Sequence, residues 1–526
     1  MLGETSVKHL YCPRQAQDTV LRQVVKEHLP EFLETVEAGN HNMPAFVKGE
    51  LDAFLACGLL ENGFTHLECP CCGFDRFLPF SCKTRTLCPS CAGRRMNETT
   101  TFLVGHVIPA VPTRHWALTF PAPLRYLLAY DSELCTKVIN IFVHTVFGWQ
   151  RRVAKTELGL ESVNLAVPAA ITAIHRVGSA INLNLHLHSV FLDGVFELSE
   201  PGARPEFRAL PAPERGDVVA LAWEVCERTT RFLQKLGRYF DAEASEADRL
   251  AQEHPLLATC CAASLQGSVV MGPRAGQRVL RLGDAMEHGE NDHIEQVRTL
   301  GHGFNLYAGM RVSADDKQGR ARMLRYILRP PIATSRLTLG KDGRVTYWLK
   351  EKWADGSTCF TFEPLDFIAK LLPLIPPPRA NLVRYHGAFA PHAEIRAQIV
   401  PQAALDRDGS GQLALPFGRR SPTAASTASG AVVPPSDDGD AKKSKRSRLD
   451  KIPWAELAAR TFEVDVLKCA RCGFSPIRIV AVVTSPTREQ LEAAGGDGAV
   501  SFPELRSQRS RAPPTGQLPF EFVRAA

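Results

Sequence analysis

Asn182-Leu183-Asn184-Leu185-His186-Leu187-His188 decides how this chain is read. Polar and apolar residues alternate without a break, the period of a β-strand with one face buried. Asn182, Asn184, His186 and His188 fall on one face and the leucines on the other. Val190-Phe191-Leu192 carries the strand into a core, and Asp193-Gly194 reads as the turn that reverses it. Two imidazoles two residues apart on a strand can aim at one metal ion. Two histidines on a packed or solvated strand are the plainer alternative, and features elsewhere in the chain weigh against it.

Upstream, Arg114–Phe120, closed by Pro121, and Ala169–Val177, turned by Gly178, have strand patterns. Residues 124–155 between them repeat at helical spacing, with Leu134, Val138, Ile141, Phe142 and Val146 on one side. Downstream, Phe304–Val312 reads as a strand. A helix over Ala314–Arg329 follows, opened by a capping box at Ser313 and Asp316 and stopped by Pro330-Pro331. This order predicts an α+β fold with an antiparallel sheet. On the last helix Ala321, Leu324, Ile327 and Leu328 form the apolar side. Arg322, Tyr326 and Arg329 stand at i−4, i and i+3 on another side, with Arg325 flanking. A tyrosine held among guanidinium groups suits a phosphodiester, because the cations orient phosphate and favour the phenolate. Taken alone, a half-buried tyrosine on a basic helix is the simpler reading. Beside His186 and His188, Tyr326 becomes a candidate nucleophile, with Arg322, Arg325 and Arg329 as DNA-binding candidates.

Fifteen cysteines are present, six of them between Cys69 and Cys91. Cys69-x2-Cys72 and Cys88-x2-Cys91, separated by fifteen residues, match two knuckles sharing one tetrahedral zinc. One zinc per chain is therefore expected. Cys71 and Cys82 are left over beside these four, and a swap of ligand among Cys69, Cys71 and Cys82 stays open. Lys83, Arg85, Arg94 and Arg95 surround the pattern, as a phosphate-backbone grip or as the solvated surface of a small ribbon.

At 526 residues the chain has room for two to four domains, and an apolar fraction of 44% is that of a globular core. The net charge of +6 permits a polyanionic partner without demanding one. The polar beginning, the lack of a membrane-length apolar run and the paired Cys-x-x-Cys units point to a reducing cytoplasm, with no membrane association. Residues 1–100 read as helices plus the four-cysteine domain, and 110–400 as the domain of the histidines and Tyr326. The latter contains an insertion-like region at 197–300, which includes a long helix at 217–240 and a strand at 276–282. Residues 336–362 read as a β-meander, and Arg384-Tyr385-His386-Gly387 as a surface or site loop. Residues 403–449 have the composition of a disordered linker and end in the basic run Lys442–Arg448. A small module at 450–526 holds Cys469-x2-Cys472, half a zinc site with no second pair following it.

Cys69 to Cys91, His186-Leu187-His188 and Tyr326, in this order, resemble the insertion sequence 91 family of rolling-circle transposases, which includes the common-region elements. Phe80-Ser81-Cys82-Lys83, Cys88-Pro89-Ser90-Cys91, Gly272-Pro273-Arg274-Ala275-Gly276-Gln277 and Arg325-Tyr326 are similar to that family's wording. The resemblance implies an HUH endonuclease core of bacterial type. His186 and His188 would bind Mg²⁺ or Mn²⁺, and Tyr326 would cut single-stranded DNA at element ends through a 5′-phosphotyrosine. Structural Zn²⁺ would sit upstream, and no small-molecule substrate is implied. Some family members carry a second tyrosine four residues earlier, where this chain has Arg322. A glutamine is usual where His175 stands, so His175 is a candidate third ligand or a core residue. Two other readings remain: a replication initiator or relaxase with the same chemistry, and a non-enzymatic zinc DNA-binding protein derived from a transposase.

Overall fold

Alternation in the histidine stretch is realised as the middle strand of a five-stranded sheet. The structure is a computed structural model that describes residues 9–10, 19–198, 204–238, 248–283, 303–353, 355–401, 464–465 and 467–495. In chain order the elements that position the site are α1 (Val20–Ala38), α2 (Ala45–Ala56), β1 (Phe64–Glu68), β2 (Asp75–Pro79), α3 (Pro89–His106), β3 (Thr113–Thr119), α4 (Ser132–Glu157), β4 (Ala169–Val177), β5 (Leu183–Leu192), α5 (Arg215–Lys235), β6 (Asn305–Val312), α6 (Lys317–Ile327), β7 (Val383–Gly387) and β8 (Arg478–Val483). The central sheet has the order β6-β3-β5-β4-β7, and every pairing is antiparallel. The fold is α+β, as the sequence implied.

The period-two pattern of β5 separates two cores. Leu185, Leu187 and Phe191 pack with Trp116, Leu118 and Leu306 under α4 and α5, against Phe142, Val146, Leu221 and Val225. The opposite face places Val190 and Leu192 with Ile171, beneath Met323, Leu324 and Ile327 of α6 and Leu103 of α3. His186 and His188 share this second face. Cross-strand register explains the room around them: Ala117 of β3 and Ala173 of β4 lie directly opposite His188, and neither has a side chain large enough to fill its space.

Several boundaries differ from the sequence reading, each for a local reason. The helical tract after Pro121 divides at Asp131, whose carboxylate accepts from Leu134 N and caps α4. α6 begins at Lys317, because Asp316, not Ser313, is the N-cap; its side chain accepts from Gly319 N at 2.6 Å. α6 accordingly buries Met323 where Ala321 and Leu328 were expected. Arg384–Gly387 is not a loop: it belongs to β7, the edge strand paired with β4. Asp193 is not a solvent-facing turn residue. It is 7% exposed, with its oxygens 2.8 and 2.9 Å from Arg114 Nε and Nη2 and 2.8 Å from Arg311 Nε. One carboxylate thus ties the end of β5 to β3 and β6.

Leu337–Leu339, Val345–Trp348 and Ser357–Phe362 form the expected meander, extended by Leu280–Gly283 on its far edge. The C-terminal stretch does not stand apart, since β8 pairs with β1 and builds the sheet β8-β1-β2. The basic linker at 403–449 lies outside the described residues. Among the described residues no helix is long and apolar enough to cross a membrane.

Candidate functional site

β5 presents His186 and His188 on the sheet face covered by α6, and β4 adds His175 directly opposite His186. One ring nitrogen from each of His175, His186 and His188 lies within 4.8 Å of the other two. His186 Nδ1 donates to the Asn184 carbonyl at 2.7 Å, which leaves Nε2 as its lone-pair nitrogen. His175 Nε2 donates to the carbonyl of Ile327 at the end of α6, leaving Nδ1 as its lone-pair nitrogen. His188 Nδ1 is hydrogen bonded to His115 Nε2 at 2.8 Å. Burial drives the imidazoles toward the neutral form: His186 is held at about 4, and His175 and His188 are also well below the ordinary histidine value. Three neutral imidazoles converging on one point have the donor chemistry of a divalent metal site.

Tyr326 lies against this cluster. Its ring meets His188 edge-on with centroids 5.7 Å apart, and His115 at 6.0 Å. Burial raises the phenol's pKa, and the Arg329 guanidinium, 4.7 Å above the ring centre, opposes that rise. The ring of guanidinium groups expected from α6 is therefore reduced to one. Arg322 is exposed and pairs with Asp316 at 3.5 Å, and Arg325 lines a groove against α3 with Thr101, Gly105 and His106. Starting the helix at Lys317 makes Asp316 the partner that draws Arg322 aside.

Two residues to which the sequence reading gave no role also reach the cluster. His115, 1% exposed, reaches His188 diagonally across the β3–β5 register. Tyr307 of β6 brings its ring within 5.9 Å of His115. A register shift between Ala308 and Arg311 bends β6 there, and a Cβ on Gly309 would sit 2.1 Å from the Tyr307 hydroxyl, so only glycine leaves that hydroxyl its place. The alternation in Arg114–Phe120 placed His115 on a strand but gave no sign of which strand it would face.

The cysteines correct the expected ligand set. Cys69, Cys72, Cys88 and Cys91 do not come together. Cys88 and Cys91 join Cys57 and Cys82, with Cys57 Sγ 3.6 Å from Cys88 Sγ and 3.8 Å from Cys91 Sγ, and Cys82 Sγ 3.5 Å from Cys91 Sγ. Cys69 and Cys72 instead meet Cys469 and Cys472. Counting nearest pairs along the chain could not show this, because Cys57 at the end of α2 and Cys82 are single cysteines and Cys469 and Cys472 lie far downstream.

Two family models match the chain. Residues 24–120 match the family described as "Transposase zinc-binding domain", which spans α1 to β3, and residues 169–397 match the family described as "Putative transposase", which begins at β4 and runs past β7. The chain belongs to the insertion sequence 91 family of transposases. No curated protein and no solved structure matched it. In this transposase the two matched regions meet physically, since β3 from the end of the first pairs with β5 from the second. Its N-terminal region is a zinc-binding domain with structural zinc, and among the described residues eight cysteines gather into two groups of four, one of them completed by Cys469 and Cys472.

Proposed function

We propose that this transposase nicks and rejoins single-stranded DNA at the ends of its element through a covalent 5′-phosphotyrosine on Tyr326. The seating of the Tyr326 ring on the cluster of His175, His186 and His188 carries the proposal. His175, His186 and His188 would hold a divalent cation, Mg²⁺ or Mn²⁺, which would supply Lewis-acid polarisation at the scissile phosphate. An all-imidazole donor set favours Mn²⁺ over Mg²⁺, whose preference is for oxygen. On this reading His175, whose ring nitrogen lies with those of His186 and His188, is the third ligand and not a core residue.

The protein's own groups do the rest. Tyr326 oxygen attacks phosphorus, a bond forms to the phenol oxygen, and the bond to the 3′ oxygen breaks. The phenol proton passes to solvent, the departing 3′ oxygen takes one from solvent to become the 3′ hydroxyl, and the phosphotyrosine ester retains the energy for rejoining. Arg329 lowers the cost of the phenolate against burial and presents a guanidinium to a phosphate oxygen. His115, hydrogen bonded to His188, fixes the orientation of that ring. With Arg322 at the position four residues before Tyr326, Tyr326 acts without a second tyrosine on its own helix. Cys57, Cys82, Cys88 and Cys91 hold the structural zinc of the N-terminal domain. Incubating the transposase with a single-stranded element end and Mn²⁺ should yield a nicked strand and a covalent protein–DNA adduct, and Tyr326→Phe should yield neither. Adduct persisting in Tyr326→Phe would reassign the nucleophile.

A further inference from the structure

Residues 67–74 read Leu-Glu-Cys-Pro-Cys-Cys-Gly-Phe, and residues 467–474 read Leu-Lys-Cys-Ala-Arg-Cys-Gly-Phe. Leucine, both knuckle cysteines, glycine and phenylalanine recur at the same spacing. The backbones repeat as well. Cys69 N donates to Phe74 O at 2.9 Å and Gly73 N to Cys69 O at 2.9 Å; Cys469 N donates to Phe474 O at 2.7 Å and Gly473 N to Cys469 O at 3.0 Å. Gly73 and Gly473 both have positive φ, +65° and +74°, the conformation such a knuckle needs and glycine accepts. The two knuckles face each other. Cys69 Sγ lies 3.6 Å from Cys472 Sγ, and Cys72 Sγ lies 3.7 Å from Cys469 Sγ. These separations exceed a disulfide bond and match the roughly 3.8 Å between sulfurs on a tetrahedral zinc with bonds of about 2.3 Å.

We infer that Cys69, Cys72, Cys469 and Cys472 form a second structural zinc site, split between the two ends of the chain, which staples the C-terminal strand β8 onto the N-terminal zinc domain. The apolar support around the knuckles is small: Leu67, Cys69, Cys469 and Ile477 are its buried members, with Phe74, Leu78 and Leu467 at the margin. A core of that size does not hold a ribbon together unaided, and metal ligation is the usual substitute. Ile479, Val480 and Val482 of β8 are 65, 51 and 61% exposed, so β8 gains little from burial and depends on its ladder to β1 and on the knuckle. Four thiols give up their protons as zinc binds, so loading is favoured by rising pH. The site is independent of the chemistry proposed for Tyr326.

The test uses the full-length protein purified with zinc. Elemental analysis should find about two zinc ions per chain, falling to about one in Cys469→Ser/Cys472→Ser and to about one in Cys88→Ser/Cys91→Ser. Hydrogen exchange in the first variant should show β1 amides losing protection while the central sheet keeps its own. Native alkylation of the unaltered protein covers the case in which a variant does not fold. Cys71 sits in the first knuckle, is exposed and belongs to neither cluster, so it should react with iodoacetamide, while Cys469 and Cys472 should react only after chelation. Zinc content unchanged in the first variant, or alkylation of Cys472 at the Cys71 rate with zinc present, would overturn the inference.

Discussion

Asp193→Ala probes the frame that holds the histidines. The Asp193 carboxylate binds Arg114 through both Nε and Nη2, and the Arg114 side chain is only 7% exposed. Removing the carboxylate leaves a guanidinium inside the protein with one remaining contact, Nη1 to Gly309 O at 3.3 Å. Breaking a buried pair from one side costs about 3–5 kcal/mol. Arg311, half in solvent, adds little to that figure. Urea unfolding followed by fluorescence of Trp116 and Trp149, both buried in this domain, reads the change. With a slope of about 3 kcal/mol per molar for a domain of this size, the midpoint should fall by roughly 1–1.7 M. Replacing both partners by apolar residues, Arg114→Met with Asp193→Leu, should recover most of the loss, because no unpaired charge remains. A midpoint shift under about 0.3 M for Asp193→Ala, or a double variant no better than the single one, would refute the reasoning.

Two further outcomes follow from the site and its surroundings. His186→Ala with His188→Ala should abolish Mn²⁺-dependent nicking while circular dichroism stays that of the parent protein, and unchanged cleavage would remove the metal from the mechanism. His386 on β7 is held at about 4 by burial, with Arg384 and His144 adding to the effect. Its unfolded value is about 6.5, so below that pH the unfolded chain takes up a proton that the folded chain refuses. The stability is present at neutral pH and lost as pH falls from about 6.5 toward 4, about 2 kcal/mol of it by pH 5. His386→Phe should flatten the pH 7-to-5 decline in urea stability by about that amount, and an identical slope in the variant would contradict the assignment.

Much of this was legible in the residue order because it rests on local periodicity. Alternation through Asn182–His188 sets the faces of β5, and the i−4, i, i+3 spacing singles out Tyr326. What escaped depends on register and on distant closure. His115 meets His188 through a diagonal between strands, and no spacing within either strand encodes it. Asp193-Gly194 has turn wording, yet the aspartate is buried because Arg114 and Arg311 come to it from other strands. Arg322 left the tyrosine because α6 starts at Lys317, later than its apolar pattern suggested, with Asp316 as the cap that pairs with it. The cysteine pairs were grouped by proximity in sequence, whereas the β1–β8 ladder brings residue 69 to residue 472. The matching Cys-x2-Cys-Gly-Phe phrases at the two ends were the one available signal of that closure.

The most direct measurement is to digest the adduct formed with a single-stranded element end and Mn²⁺, and to map by mass spectrometry the peptide that carries nucleotide. The peptide containing Tyr326, joined to a 5′ phosphate, is the expected product. Nucleotide attached to Tyr307 or to any other residue, or cleavage with no covalent product at all, would contradict a mechanism built on Tyr326 beside the three histidines.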